Sequence, residues 1–109
     1  MNLVTAYHAS APTQVDFAAT VEGPPHFFYG RRSHAEHESF WVRSAAGPIE
    51  VIDNVNLAPP IAVRRGDSVE VAGVMVHDPG HIPRVHWTHH DPSGRHPGGF
   101  IRWRGRLYA

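Results

Sequence analysis

The chain has 109 residues, enough for one domain with a modest core and too few for two. Ten Pro and ten Gly interrupt it so often that long helices are excluded, and no window carries a convincing 3.6-residue apolar period. The formal net charge is +0, and with no Cys there is neither a disulfide nor a thiolate metal site, so any ion must be held by His, Asp, Glu or Asn.

Residues 1–14 read as an N-terminal arm, weakly patterned and ending in Ala11-Pro12-Thr13. The opening residues show neither a basic start nor a long apolar run. They are read as neither a signal peptide nor a membrane span, which sets a cytoplasmic expectation and leaves an extracytoplasmic home open.

Residues 15–109 read as a single β-domain. Val15, Phe17, Ala19 and Val21 alternate with polar or small residues, predicting a half-buried strand that Gly23-Pro24-Pro25 stops. Residues 23–38 follow as a long loop containing His26, Arg31, Arg32, His34, Glu36 and His37. Residues 39–43 read as a strand, and Ala46-Gly47-Pro48 turns it into a second at 49–52, making a hairpin. Residues 53–65 form a connector whose Val55, Leu57, Ile61 and Val63 predict that it packs down.

Gly66-Asp67 then launches the clearest strand, with Val69, Val71 and Met75 in alternation and Gly73 as the place to bend. Asp78-Pro79-Gly80 turns the chain into a strand over 82–90. A last extended segment, 100–103, turns at Arg104-Gly105 and ends with Leu107-Tyr108. Six or so short strands with turn signals every 8–12 residues predict an all-β fold. A small five- to six-stranded OB-like barrel with long loops and little helix fits this order best. A sandwich and an SH3-like barrel remain the alternatives.

The chemistry concentrates late in the chain. His86-Trp87-Thr88-His89-His90-Asp91-Pro92, followed by Ser93-Gly94-Arg95-His96-Pro97-Gly98-Gly99, puts four imidazoles, a carboxylate and an indole into fourteen residues. Imidazole and carboxylate are the common ligands for zinc, manganese or nickel when thiolates are absent. Extended geometry limits the set, because His86 and His90 on one strand would stand roughly 13 Å apart. A shared site therefore needs a bend near Asp91-Pro92, or an imidazole from another strand. The bland alternative is that these rings hydrogen-bond a loop, with Asp91 capping a turn.

Weaker candidates lie elsewhere. His34-Ala35-Glu36-His37-Glu38 is an acid–imidazole cluster read as a solvated loop, able to supply a ligand or base. Residues 1–83 hold five Arg against nine acids, a balance of −4, whereas 84–109 hold five Arg against Asp91, a balance of +4. The C-terminal part would attract anions, with Arg102 and Arg104 as the anion-binding pair. Arg102, Trp103, Arg104, Arg106 and Tyr108 also mix cations with aromatics, as single-strand nucleic-acid surfaces do. Ordinary outer strand faces carry the same mixture. No P-loop, dinucleotide fingerprint or G-x-S-x-G is present, so no nucleotide cofactor is expected.

From residue 86 to residue 100 the chain closely resembles an uncharacterised bacterial family of small domains, known only as a domain of unknown function. The shared features are the His-Trp-Thr-His-His-Asp-Pro run and the following Gly94-Arg95-His96-Pro97-Gly98-Gly99-Phe100. Phe100 stands where the family usually has Trp. The resemblance takes in Asp53-Asn54-Val55-Asn56-Leu57-Ala58-Pro59, residues 66–73, His37 and the closing Gly105-Arg106-Leu107-Tyr108, about three quarters of the chain. It implies that Asp53 occupies a family His position and Asn56 a family Asp position.

The expected site gathers His89, His90, Asp91 and His96 near His37 and Asp53, with His86 as a further ligand. The leading expectation is a small binding module whose polar cleft holds a divalent metal ion or an anionic ligand. A metal-dependent, nuclease-like phosphodiester hydrolase is the second reading, and a protein-interaction domain with structural histidines the third. Nucleic acid is a weaker partner, and no membrane association is expected.

Overall fold

A computed structural model of the chain describes residues 2–30, 35–54, 61–86 and 99–108, the side chains of residues 35, 53 and 54 excepted. Apart from one short helix it is all-β. That helix, α1 (Leu3–Tyr7), is too short to persist alone and is held from outside. The Asn2 side chain caps it by accepting from the Thr5 N–H at 2.8 Å, and Ala6 is fully buried in the core. Tyr7 donates its hydroxyl to the Pro48 carbonyl at 2.9 Å. Residues expected to form an arm thus carry a helix seated on the sheet.

The strands in chain order are β1 (Thr13–Val21), β2 (His26–Gly30), β3 (Ala35–Ser44), β4 (Gly47–Asn54), β5 (Ser68–Val76), β6 (Arg84–His86), β7 (Phe100–Trp103) and β8 (Arg106–Tyr108). β2 and the first part of β3 occupy what the sequence reads as a long loop. The pairings run β1-β3-β4-β6-β5 and return to β1, a closed circuit of five strands. Every neighbour is antiparallel except β4 with β6, which run parallel. β2 adds to β3 beside the circuit, and the β7–β8 hairpin extends it from β5.

Alternation decides what lies inside. β1 buries Val15, Phe17, Ala19 and Val21, the set its period-2 pattern predicts. Phe40 and Val42 of β3, Ile49 and Val51 of β4, and Val69, Val71 and Met75 of β5 meet them, with Val85 and Ile101 completing the core. Each such side chain contributes roughly 1.5–3 kcal/mol on burial. Ile61 and Val63 are buried too, so the described end of the connector packs down as its apolar residues predict.

Two turns follow from local residues. Ser44 closes the β3–β4 hairpin by donating to the Gly47 carbonyl at 2.8 Å and accepting from the Ala46 and Gly47 N–H groups. Arg104 (φ 52°) and Gly105 (φ 74°) are both left-handed, the backbone that a two-residue β-hairpin needs.

β6 and β7 share one edge of β5. His86 lies opposite Val74, and Phe100 lies opposite Ala72. The two ends of residues 87–99 are therefore anchored two register positions apart, about 7 Å. Both ends belong to one continuous strand edge from which the His-rich stretch departs.

Asp67 ties the turn before β5 to the β7–β8 hairpin. Its carboxylate accepts from the Arg64 N–H and from Trp103 Nε1, each at 2.9 Å, and Arg104 approaches to 4.0 Å. The Arg64 bond first, then the Trp103 bond, hold the Asp67 carboxyl below its ordinary value. A depressed carboxyl stabilises the fold above its unfolded pKa and loses that contribution as pH falls through the folded value. The stability advantage of wild type over Asp67→Asn is expected to be full at pH 6 and to shrink below about pH 3.8. Urea midpoints measured from pH 6 to pH 2 check this; a pH-independent gap would assign the effect to shape alone.

Candidate functional site

The β3–β4–β6 surface collects the described members of the expected site. Register pairs share a sheet face, so each strand's contribution follows from its alignment. His37 on β3 lies opposite position 54 of β4, and Ile52 of β4 lies opposite His86 of β6. His37 and His86 thus occupy one face of three adjacent strands. The Asp53 backbone pairs with Glu38, so position 54 rather than 53 shares the His37 register.

A neighbouring ring sets His37. His37 stacks on Phe28, its partner across the β2–β3 pair, with centroids 5.3 Å apart and planes at 27°. His86 terminates β6 just as the chain enters its richest histidine stretch. Its imidazole is held below its ordinary value, first by surrounding protein that withdraws water from the ring, then by the Arg84 and His37 charges. Glu50 and Asp78 pull the other way and are outweighed. Both are already tied to Arg84, at 2.6 and 3.1 Å. His86 nevertheless keeps solvent access, so a neutral ring, the form that ligates metal, is within reach of a ligand.

His89, His90, Asp91 and His96 lie outside the described residues, and so does Trp87. Their stretch is rooted at His86 on one side and at Gly99 and Phe100 on the other. Among the described residues, no group of three His, Asp or Glu side chains could hold a metal ion. His37 and His86 could supply two ligands of a larger set.

Arg102 and Arg104 are exposed and already engaged. Arg102 pairs with Glu70 at 3.1 Å and sits 5.7 Å from the Phe100 ring centroid, while Arg104 stacks on Trp103 at 4.9 Å. Glu70 also reaches across to Asp16, whose carboxyl is raised by burial first and by its hydrogen bond to Glu70 second. An anion at Arg102 would compete with this carboxylate pair.

Glu38 is the residue that sequence reasoning placed wrongly. Read as part of a solvated loop, it is 1% exposed, and both carboxylate oxygens accept from the Ile61 N–H, at 3.1 and 3.2 Å. The signal was present: Glu38, Phe40 and Val42 continue one alternation, which places Glu38 on the core face. A second feature passed over is the aromatic run of β2, where Phe27 and Tyr29 are 56% and 57% exposed.

The family described as protein of unknown function (DUF3465) matches residues 25–109. No curated protein and no solved structure matches the chain.

Proposed function

Since the chain belongs to the DUF3465 family, whose description assigns no activity, its role has to come from the site itself; we propose a small ligand-binding module whose His/Asp-rich polar site takes a divalent metal ion or an anionic ligand. The observation that carries this reading is the placement of His37 and His86 on one face, at the point from which the His-rich stretch departs. Two imidazoles already fixed by the sheet lower the entropy cost of recruiting His89, His90, Asp91 or His96. An OB-like barrel is the scaffold we infer. Support comes from the five-strand circuit with its single parallel pair, β4 with β6.

Elemental analysis of untagged protein tests the metal reading. Zinc, manganese or nickel is expected near one equivalent, lost in both His86→Ala and His90→Ala while the fold persists. Folded protein without metal, showing no thermal shift across a metal panel, would reject it and leave the histidines structural. His77 already plays such a part, with Nε2 against the Tyr7 carbonyl at 2.9 Å.

One observation favours a hydrolase as the second reading. His37 stacks on Phe28 and shares a sheet face with His86, so if an ion were held at that face it would supply an activated water and His37 would be the base on hand. The same preparations would then turn over a generic phosphodiester. Chelator would abolish the turnover, and His37→Ala would reduce it more than it reduces bound metal.

A further inference from the structure

We propose a second site, independent of the histidine face: the surface from Phe27 through Arg64 and Arg65 to the β7–β8 hairpin binds single-stranded nucleic acid. Four exposed arginines lie on the segments that Asp67 joins, Arg64 and Arg65 before it and Arg104 and Arg106 on the β7–β8 hairpin, and the Arg64 and Arg104 charges act on its carboxylate. Among the described residues, no other carboxylate forms an ion pair with any of them. Asp67 joins these segments through its bonds to the Arg64 backbone N–H and Trp103 Nε1. They therefore carry a local excess of positive charge, although the whole chain is neutral.

Flat surfaces alternate with these charges. Arg104 lies over Trp103 and Arg106 lies over Tyr108, 4.9 and 6.0 Å from the ring centroids. Arg64 also rims a mainly apolar recess of about 390 Å³, walled by Pro24, Pro25, Phe27, Ile61 and Val63, with Glu38 at its lining, where its carboxylate accepts from the Ile61 N–H. That size falls within the range of small-molecule clefts. Phe27 is more than half exposed at its wall and offers a ring face. A polymer that alternates phosphates with planar bases matches this alternation of cations and flat apolar faces. An acidic peptide would satisfy the charges and leave the recess and ring faces without planar partners.

Fluorescence anisotropy with a labelled twelve-nucleotide oligo-dT or oligo-U probe tests the assignment, with sodium polyglutamate and anionic phosphatidylserine vesicles as comparison ligands. Wild type is expected to bind the oligonucleotide and to lose about 15- to 20-fold in affinity between 50 and 200 mM salt, the slope for roughly three phosphate contacts. Arg104→Glu/Arg106→Glu should weaken binding at least tenfold, and Phe27→Ala at least about fivefold. Charge reversal at Arg43 of β3, which pairs with Glu22 just beyond β1, should change it less than twofold. No oligonucleotide binding at 20 mM salt overturns the proposal. So does an equal loss from Arg43→Glu, or polyglutamate or vesicles binding as tightly as the oligonucleotide. The salt series and the ligand comparison use unmodified protein, so they decide the matter even where a variant fails to fold.

Discussion

Gly73→Ala is expected to cost roughly 3 kcal/mol of stability, the upper end of overpacking penalties, and to lower Tm by on the order of 10–20 °C. Gly73 lies mid-β5, opposite Val15 of β1, with the end of β6 across its other edge. A Cβ there would run into the His86 carbonyl oxygen, with its carbon and Val85 Cγ1 both 3.0 Å away. The obstacle is main chain, so no rotamer change relieves it. β6 would have to part from β5, breaking the β4-β6-β5 link that closes the circuit. Gly99 has the same relation to the Ala72 carbonyl, with the Ala72 carbonyl carbon 2.7 Å from where a Cβ would stand. These two glycines stand at the exit and the return of the His-rich stretch. Gly23→Ala supplies the contrast, because nothing lies within 4 Å of its Cβ position. Thermal unfolding of all three variants checks the prediction; Gly73→Ala within 1 kcal/mol of wild type would show that the strands separate without cost. His86 sits at the displaced point, so metal uptake should also fall in whatever fraction of Gly73→Ala remains folded.

Much of the fold was legible because burial follows alternation. Val15 to Val21, Val69 to Met75 and the Arg104-Gly105 turn each carry a local rule that tertiary contacts reinforce. β2 was not legible, because Pro24-Pro25 precedes it, His26 opens it and its exposed aromatics show no inside and outside. The start of β3 was missed for a related reason. Glu36, His37 and Glu38 look like solvent-facing residues until pairing with β2 and β4 assigns their faces. At the candidate site, residue types were readable and convergence was not. Whether His37 meets His86 depends on the parallel β4–β6 pairing, a long-range contact with no local sequence signature. Arg102 and Arg104 were recognised as cations, but their carboxylate partners, Glu70 and Asp67, come from β5 and the turn before it. The His89 to His96 part of the expected set lies outside the described residues.

Glu38→Ala should lower stability by about 2–3 kcal/mol, and Glu38→Gln by distinctly less. Glu38 lies on the core face of β3, where a carboxylate is tolerated only with partners. Its oxygens receive the N–H of Ile61, which is itself buried at the start of the described connector segment. Alanine would leave that N–H without an acceptor in a water-poor interior, a loss of about 1–3 kcal/mol, and would add a cavity. Glutamine sheds the charge and keeps an acceptor oxygen, so the Ile61 bond survives. The connector has other fastenings, Gly66 N–H to the Val21 carbonyl and Val21 N–H to the Asp67 carbonyl, each at 2.8 Å. Damage in Glu38→Ala should therefore be local, at Ile61 to Val63. Amide hydrogen exchange there should accelerate while the β1–β5 ladder stays protected. Equal destabilisation by Ala and Gln would mean that the charge, rather than the acceptor, is what the core requires at this position.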